Sequence, residues 1–178
     1  MQQTRAFYTV GHSTRSLEEF IALLQSAGIE LLADVRSIPR SRTNPQFNLD
    51  TLPAELARHR IGFEHMAELG GRRGRVLANS ANDFWDNASF RNYADYAATE
   101  PFRAGLQRLC AIGHERTVAI MCAEAVWWRC HRRIIADYLI SAGERVLHIL
   151  APGKIEIAKL TPAATKAAHA GLIYPKRQ

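Results

Sequence analysis

Residues 121–133 contain the densest group of chemically reactive side chains in the sequence. Cys122 and Glu124 are followed, a few positions on, by the consecutive residues Cys130, His131 and Arg132. A thiol at the start of a helix tends toward the thiolate, because the helix dipole and neighbouring arginines stabilise its negative form. Cys130 and His131 are therefore candidates for a nucleophile and a base, or for a pair of soft metal ligands. Alternatively, Cys130 packs beneath the helix while His131 hydrogen-bonds a nearby loop.

Cysteine and histidine could also form a metal site, with Cys122, Cys130, His131 and His12 as the available ligands. Their spacing matches neither a zinc ribbon nor the zinc deaminase pattern. A cysteine-phosphatase loop needs a shorter interval than the seven positions that separate Cys122 from Arg129. We therefore expect no metal, and the sequence leaves the identity of any cofactor open.

Polar residues also follow two other segments that are predicted to be strands. Gly11, His12 and Ser13 come directly after the β-prone residues 7–10. Asp34 and Arg36 end a second apolar run and lie two positions apart, so on an extended strand they share a face. The carboxylate could orient the guanidinium toward a ligand, or the pair could be an internal salt bridge.

A long polar loop follows the second predicted strand. Arg40, Ser41 and Arg42 in this loop could grip phosphates or could form solvated surface. Later in the same region, Gly70 and Gly71 precede an arginine-rich stretch that matches neither a P-loop nor a dinucleotide fingerprint, so we interpret them as turn formers.

The elements that would position these residues alternate between strands and helices. Apolar runs predict strands at 7–10, 29–35, 117–121 and 146–150, and helical spacing predicts helices at about 16–28, 52–60, 90–99, 101–112 and 130–142. This order predicts an α/β fold with a mostly parallel central sheet of at least four strands, flanked by helices, with a long polar insertion after the second strand. The carboxyl ends of parallel strands open on one edge, so we expect the polar residues described above to be neighbours there.

Length and composition are those of one globular domain. The chain has 178 residues, of which 47% are hydrophobic and 22% charged, which excludes fibrous, low-complexity and disordered classes. We expect a single domain over residues 1–178 with a basic tail at about 151–178, where all four lysines and most of the +6 net charge fall. The basic residues before the tail are all arginines, which suit anionic ligands. Codon bias is the alternative explanation.

The odd number of cysteines, three, and the lack of an export signal favour reduced thiols and a cytoplasmic location. The apolar runs are too short for a membrane span, so we expect no membrane association. The oligomeric state stays open. Trp127 and Trp128 could stack on a base, although two adjacent aromatic residues more often cover a core.

Several short blocks, in this order, resemble the domain of unknown function 488 family. The blocks are Val10-Gly11-His12-Ser13, Asp34-Val35-Arg36 with Pro39, Ser41 and Phe47, Leu69-Gly70-Gly71, Cys122-Ala123-Glu124, and Cys130-His131-Arg132. The resemblance implies a compact α/β domain in which these residues form a shared site, and it implies no particular reaction. The chain departs from the expected pattern at Val126-Trp127-Trp128, where more polar residues would be usual.

Three functions remain open at this level. The leading hypothesis is an enzyme that acts on an anionic, nucleotide- or nucleic-acid-like substrate at the sheet edge. In this hypothesis Arg36 and Arg132 hold the anion, and the other substrate-binding residues are Gly11, Ser13, Asp34 and Ser41. His12 or His131 transfers protons, and Glu124 orients a histidine or acts as a base. Cys122 or Cys130 is the nucleophile. The alternatives are a non-catalytic nucleic-acid-binding module that uses the 36–75 region and the tail, and a thiol-based sensor.

Overall fold

The computed structural model describes residues 5–74, 77–169 and 171–176. Arg75, part of the basic loop region, and residues 1–4, where an export signal would begin, lie outside these ranges. Within them the chain forms eight strands: β1 (Phe7–Gly11), β2 (Leu31–Asp34), β3 (Gly62–His65), β4 (Val118–Cys122), β5 (Val146–Ala151), β6 (Lys154–Ile157), β7 (Thr165–Ala167) and β8 (Gly171–Ile173).

The first six strands form one sheet in the order β3-β2-β4-β1-β5-β6. The five strands from β3 to β5 pair in parallel, and β6 pairs antiparallel with β5. The predicted α/β fold with a mostly parallel sheet is therefore confirmed. Strand β2 lies beside β4 and strand β5 lies beside β1, on opposite sides of the central pair β1–β4. The strand order therefore reverses at this pair. Open sheets bind ligands beyond the carboxyl ends of strands at such a reversal.

Helices cover both faces of this sheet. They are α1 (Leu17–Ser26), α2 (Leu52–Arg58), α3 (Ala88–Tyr96), α4 (Glu100–Glu115) and α5 (Arg132–Ser141). Helices α1 and α2 pack on one face, in a buried cluster with Leu32 and Met121, and α3 to α5 pack on the other, in a cluster with Ile120 and Cys122. In the part of the chain that the structure describes, no helix is long and apolar enough to cross a membrane.

The ends of α1 show how local sequence sets this architecture. The Ser16 hydroxyl accepts a hydrogen bond from the Glu19 amide at 3.1 Å, and the Glu19 carboxylate accepts one from the Ser16 amide at 2.9 Å. This capping box satisfies two amides that have no partner within the helix. After the helix, Gly28 takes φ +66°, which side chains disfavour, and the chain turns into β2.

The region after β2 is more regular than its polar sequence suggests. Strand β3 was not predicted; it lies at the sheet edge, with Leu31 opposite Gly62. All four of its residues are only half buried, so the strand shows neither a continuous apolar run nor a clear alternation. The helix predicted at 52–60 is present as α2.

The chain after residue 150 is also more ordered than a tail. Strand β6 extends the main sheet, and β7 and β8 form a separate antiparallel pair. Leu172 and Tyr174 are buried in the α3–α5 cluster. The Tyr174 hydroxyl donates a hydrogen bond to Asp137 on α5 at 3.0 Å. Leu172 and Tyr174 therefore pack as part of the core, in a segment whose four lysines suggested a basic tail.

Candidate active site

A cleft opens at the carboxyl ends of β1 and β4. These strands are paired up to Gly11 and Cys122, and the pairing continues past them through a hydrogen bond from the His12 amide to the Cys122 carbonyl at 2.9 Å. The cleft has a volume of about 1160 Å³. Its floor is formed by residues that follow these strands, and its walls come from residues 37–38, 40–42, 71–74, 89–90, 123–124 and 129–131.

The predicted site residues divide into those that line this cleft and those that lie behind it. Seven of the eleven line it: His12, Arg36, Ser41, Cys122, Glu124, Cys130 and His131. The other four, Gly11, Ser13, Asp34 and Arg132, do not line it but contact residues that do. The sheet edge therefore brings together residues that are far apart in the chain.

Arg132 connects the two thiol-bearing segments. Its Nε donates to Cys122 Sγ at 3.0 Å and to Cys130 Sγ at 3.3 Å, and its Nη2 donates to the Glu124 carbonyl at 2.6 Å. The side chain is 1% exposed, and no carboxylate pairs with it among the described residues. A buried charge without a counter-charge is costly, so this guanidinium favours a thiolate beside it. Arg132 thus lies too deep to be the direct anion ligand that the sequence predicted.

The two cysteines respond to this environment in opposite directions. Burial raises the pKa of Cys122 well above its usual value. Burial also acts to raise the pKa of Cys130, but the hydrogen bond with Cys122 and the proximity of His131 and Arg132 outweigh it and lower the pKa well below the usual value. The Arg132 amide donates to Cys130 Sγ at 3.4 Å. These opposite directions make Cys130 the more acidic thiol of the pair.

His131 lies next to the Cys130 sulfur. Its Nδ1 is 3.5 Å from Cys130 Sγ, and its Nε2 is 2.9 Å from the Val35 carbonyl. Because a carbonyl can only accept, Nε2 carries a proton, which leaves Nδ1 to face the sulfur. Helix α5 begins at Arg132 rather than at 129 or 130 as predicted, so Cys130 and His131 lie just before the helix and face the cleft. Cys130 is also buried in the α3–α5 cluster and His131 bonds the Val35 carbonyl, so the structure keeps both features of the alternative, in which Cys130 packs in the core and His131 holds a loop.

Asp34 and Arg36 form a closed ion pair. Arg36 Nη2 and Nε donate to the two Asp34 carboxylate oxygens at 2.7 and 2.9 Å, and Nη2 also donates to the Phe47 carbonyl at 2.6 Å. The internal salt bridge is therefore present, and it holds Arg36 at the cleft, whereas the orientation of Arg36 toward a ligand stays a prediction. Most of the donors of Arg36 are occupied, which leaves Nη1 to face His12 Nε2 at 3.4 Å.

His12 is held as a neutral imidazole. Burial lowers its pKa to about 4, and the charge of Arg36 adds to this effect, although a hydrogen bond with the Ser13 carbonyl acts to raise the pKa. Nδ1 donates to that carbonyl at 2.8 Å, so Nε2 is the free acceptor toward Arg36. The ring stacks on Phe47 with a centroid distance of 4.3 Å. Ser13 contributes this carbonyl in a left-handed conformation with φ +49°.

A buried polar group that the sequence did not suggest lies behind Arg132. His148 on β5 accepts or donates a hydrogen bond with Thr9 Oγ1 at 2.7 Å, and Arg132 Nη1 donates to the same oxygen at 3.4 Å. Burial lowers the pKa of His148 to about 4, and Arg132 adds to the effect. Trp127 stacks on the His148 imidazole with a centroid distance of 4.4 Å. The ring of Trp127 therefore packs within the protein instead of offering this face to a nucleic-acid base. No pattern in the sequence distinguishes this histidine from an ordinary strand residue.

The walls of the cleft carry many positive charges. The lining includes six arginines, Arg36, Arg40, Arg42, Arg72, Arg73 and Arg129, against a single acidic residue, Glu124. Arg73 is bound to the Gly70 and Ala67 carbonyls. By contrast, the exposed guanidinium groups of Arg42, Arg72 and Arg129 have no hydrogen bond or ion pair within residues 5–74, 77–169 and 171–176.

Ser41 lines the cleft but its groups hold the loop. Its amide donates to Asn48 Oδ1 at 2.6 Å, and its hydroxyl accepts from the Asn44 amide at 3.0 Å.

Glu124 is exposed, and its carbonyl rather than its carboxylate contacts Arg132. No group of three or more histidine, cysteine or acidic side chains in the described residues is arranged to hold a metal ion.

Fold and site together define an α/β protein in which a buried arginine contacts two cysteine sulfurs at the carboxyl edge of a mostly parallel sheet. The chain belongs to the family described as Domain of unknown function DUF488, whose match covers residues 16–139. This match extends from the cap of α1 to Leu139 on α5, and it includes Cys122, Cys130 and Arg132. No curated protein and no solved structure matches the chain.

Proposed function

We propose that the protein is an enzyme that uses Cys130 as a nucleophile on an anionic, nucleotide- or nucleic-acid-like substrate. The observation that carries the proposal is the buried guanidinium of Arg132, which donates to two sulfurs and to no carboxylate of the described chain. A structural cysteine needs no such partner, whereas a catalytic cysteine is activated by positive charge beside it. Arg132 therefore acts as a positioning residue that keeps Cys130 ionised.

The neighbouring groups supply the remaining steps of a nucleophilic reaction. The Cys130 thiolate attacks an electrophilic centre of the substrate, and the leaving group departs with the bonding electrons. The imidazolium form of His131, with a proton on the Nδ1 that lies 3.5 Å from the sulfur, or the protonated carboxyl group of Glu124 gives its proton to the leaving group and regains one from the water that later attacks. Water then releases the covalent intermediate. His12, whose Nε2 faces Arg36, positions that arginine and is not needed as an acid.

The substrate class follows from the charge of the cleft. The exposed Arg42, Arg72 and Arg129 offer planar donors that suit phosphate or carboxylate. The volume of about 1160 Å³ exceeds that of a usual small-ligand pocket, which leaves room for a nucleotide with flanking groups. Phe90 on the wall adds an aromatic ring for a base to contact. The three cysteines are free, which suits the reducing cytoplasm.

The test measures the alkylation of each cysteine as a function of pH. Iodoacetamide treatment followed by peptide mass spectrometry should show that Cys130 reacts first, with an apparent pKa below about 8.5. A short oligonucleotide or adenosine monophosphate should slow this reaction by occupying the cleft. Cys110, half buried on α4 and outside the cleft, provides the internal reference. If Cys130 reacts no faster than Cys110 at neutral pH, the nucleophile assignment is wrong.

A second candidate is a nucleic-acid-binding module without catalysis, favoured by the six arginines of the cleft. It predicts that the protein converts no substrate and that Cys130→Ser leaves the oligonucleotide affinity unchanged. The enzyme proposal predicts that the same variant still binds but abolishes turnover, while Cys110→Ser retains both. Screening phosphorylated small molecules and oligonucleotides for conversion with these two variants separates the candidates.

A further inference from the structure

Cys122 is not the nucleophile of the proposed reaction, although its sulfur belongs to the same centre. Cys122 ends β4 and Cys130 precedes α5, yet Arg132 Nε donates to both sulfurs, at 3.0 and 3.3 Å. Two acceptors of one donor are no farther apart than the sum of these distances. The two sulfurs are also hydrogen-bonded to each other, so they are already neighbours before any oxidation. Cys122 and Cys130 are 3% and 4% exposed, and both line the cleft, so a reagent as small as hydrogen peroxide would approach the pair from the cleft.

The two sulfurs also differ in the way that disulfide formation requires. Cys130 has Arg132 and His131 beside it, and these groups hold it as the thiolate, the form that attacks an oxidant. Cys122 keeps its proton and can donate it to the Glu124 carbonyl, 3.9 Å away. A reactive thiolate next to a second thiol is the arrangement in which sulfenic acid is converted to a disulfide.

We propose that Cys122 and Cys130 form a reversible disulfide when a hydroperoxide enters the cleft, and that this disulfide switches off the site. The Cys130 thiolate attacks one peroxide oxygen and the O–O bond breaks; the departing oxygen takes a proton from water, leaving a sulfenic acid. Cys122 then loses its proton and attacks the sulfenic sulfur. The S–S bond forms, and hydroxide leaves and takes that proton as water. The peroxide gains the two electrons that the two thiols lose.

Arg132 also determines how easily the disulfide is reduced. Oxidation removes the thiolate that balances the buried guanidinium, and no carboxylate of the described residues replaces it. The reduced form is therefore the more stabilised one, and a disulfide whose reduced form is stabilised is a comparatively strong oxidant. We expect cellular thiols such as glutathione to reduce it readily, in contrast to structural disulfides.

The proposed disulfide rests on the proposed function in one respect, because both use the Cys130 thiolate. Its test needs no substrate. The reduced protein is treated with an equimolar amount of hydrogen peroxide, then denatured and titrated for thiols. The titre should fall from three to one, with Cys110 remaining free. Mass spectrometry should identify a peptide pair that joins Cys122 to Cys130, and glutathione should restore all three thiols.

Matched variants make the test decisive. Cys110→Ser should still form the disulfide, Cys130→Ser should resist peroxide, and Cys122→Ser should proceed to sulfinic acid on Cys130, because no second thiol intercepts the intermediate. Circular dichroism confirms that each variant is folded. Sulfinic acid on Cys130 of the unmodified sequence, or a disulfide that includes Cys110, would overturn the proposal. Rapid alkylation of Cys130 without disulfide formation would reject the switch and leave the proposed function standing. Disulfide formation in a protein that converts no substrate would support the reversible disulfide and count against the proposed function.

Discussion

Gly71 lies directly against the imidazole of His131. A β-carbon at residue 71 would be 2.4 Å from His131 Nδ1, a distance that real β-carbons do not show. The φ angle of Gly71 is not positive, so glycine is needed here for space rather than for an unusual backbone conformation. The turn that the sequence suggested at this position therefore also fixes where His131 sits relative to Cys130.

Gly71→Ala should displace His131 and weaken the Cys130 thiolate. Because His131 is one of the groups that lower the pKa of Cys130, moving it raises that pKa. Each unit of increase above the assay pH reduces the thiolate fraction about tenfold. The measurement is the pH profile of Cys130 alkylation. Gly74→Ala is the matched control, since a β-carbon there meets nothing within 4 Å. Identical profiles for the two variants would contradict the prediction.

Gly11→Ala should destabilise the whole protein. A β-carbon at residue 11 would be 1.9 Å from the carbonyl oxygen of Glu124, which is backbone and cannot rotate away. That carbonyl also accepts the hydrogen bond from Arg132 Nη2, so displacing the carbonyl removes a hydrogen-bond acceptor from the buried guanidinium. We expect a decrease of about 3 kcal/mol or more in the free energy of unfolding. Urea denaturation at neutral pH measures it, and a midpoint equal to that of Gly74→Ala would show that the loop moves freely.

Stability should fall between about pH 6.5 and pH 4. His12 and His148 both have a pKa of about 4 in the folded protein, against 6.5 in a model peptide. In that window the unfolded chain binds more protons, so the free energy of unfolding decreases as the pH falls, by up to about 1.4 kcal/mol per pH unit for each imidazole. Urea denaturation at pH 7, 6 and 5 measures the slope. His148→Gln should reduce it, whereas replacing the exposed His59 should not.

The fold could be predicted because apolar runs and helical spacing are local signals. The four runs at 7–10, 29–35, 117–121 and 146–150 correspond to β1, β2, β4 and β5. Once the strands are parallel, the geometry of the sheet places the residues that follow them at one edge. The proximity of His12, Arg36 and Cys122 follows from that rule alone.

The orientation of individual side chains could not be predicted in the same way. An arginine at the start of a helix usually points to solvent, and only tertiary packing turns Arg132 inward toward two sulfurs. A shift of two or three residues in the start of α5 moves Cys130 from beneath the helix to the cleft. His148 occupies an ordinary buried strand position, and its contact with Thr9 depends on the pairing of β1 with β5. Such details depend on pairing and packing that no local pattern contains.

The last prediction concerns the exposed arginines of the cleft. Replacing Arg42, Arg72 and Arg129 together by alanine should weaken oligonucleotide binding and make it less sensitive to salt, because each guanidinium that contacts a phosphate releases a counterion. For a single strand, three lost contacts reduce the slope of log affinity against log salt by about 2. Fluorescence anisotropy of a labelled oligothymidylate from low to moderate salt measures both quantities. Arg58→Ala is the control, because Arg58 lies on α2, is paired with Glu55 and is outside the cleft. The combination with Cys130→Ser should leave the slope of the triple variant unchanged, because the thiolate contacts Arg132 rather than the rim. An unchanged slope in the triple variant would mean that these arginines do not hold the phosphates, and the substrate class proposed from them would have to be abandoned.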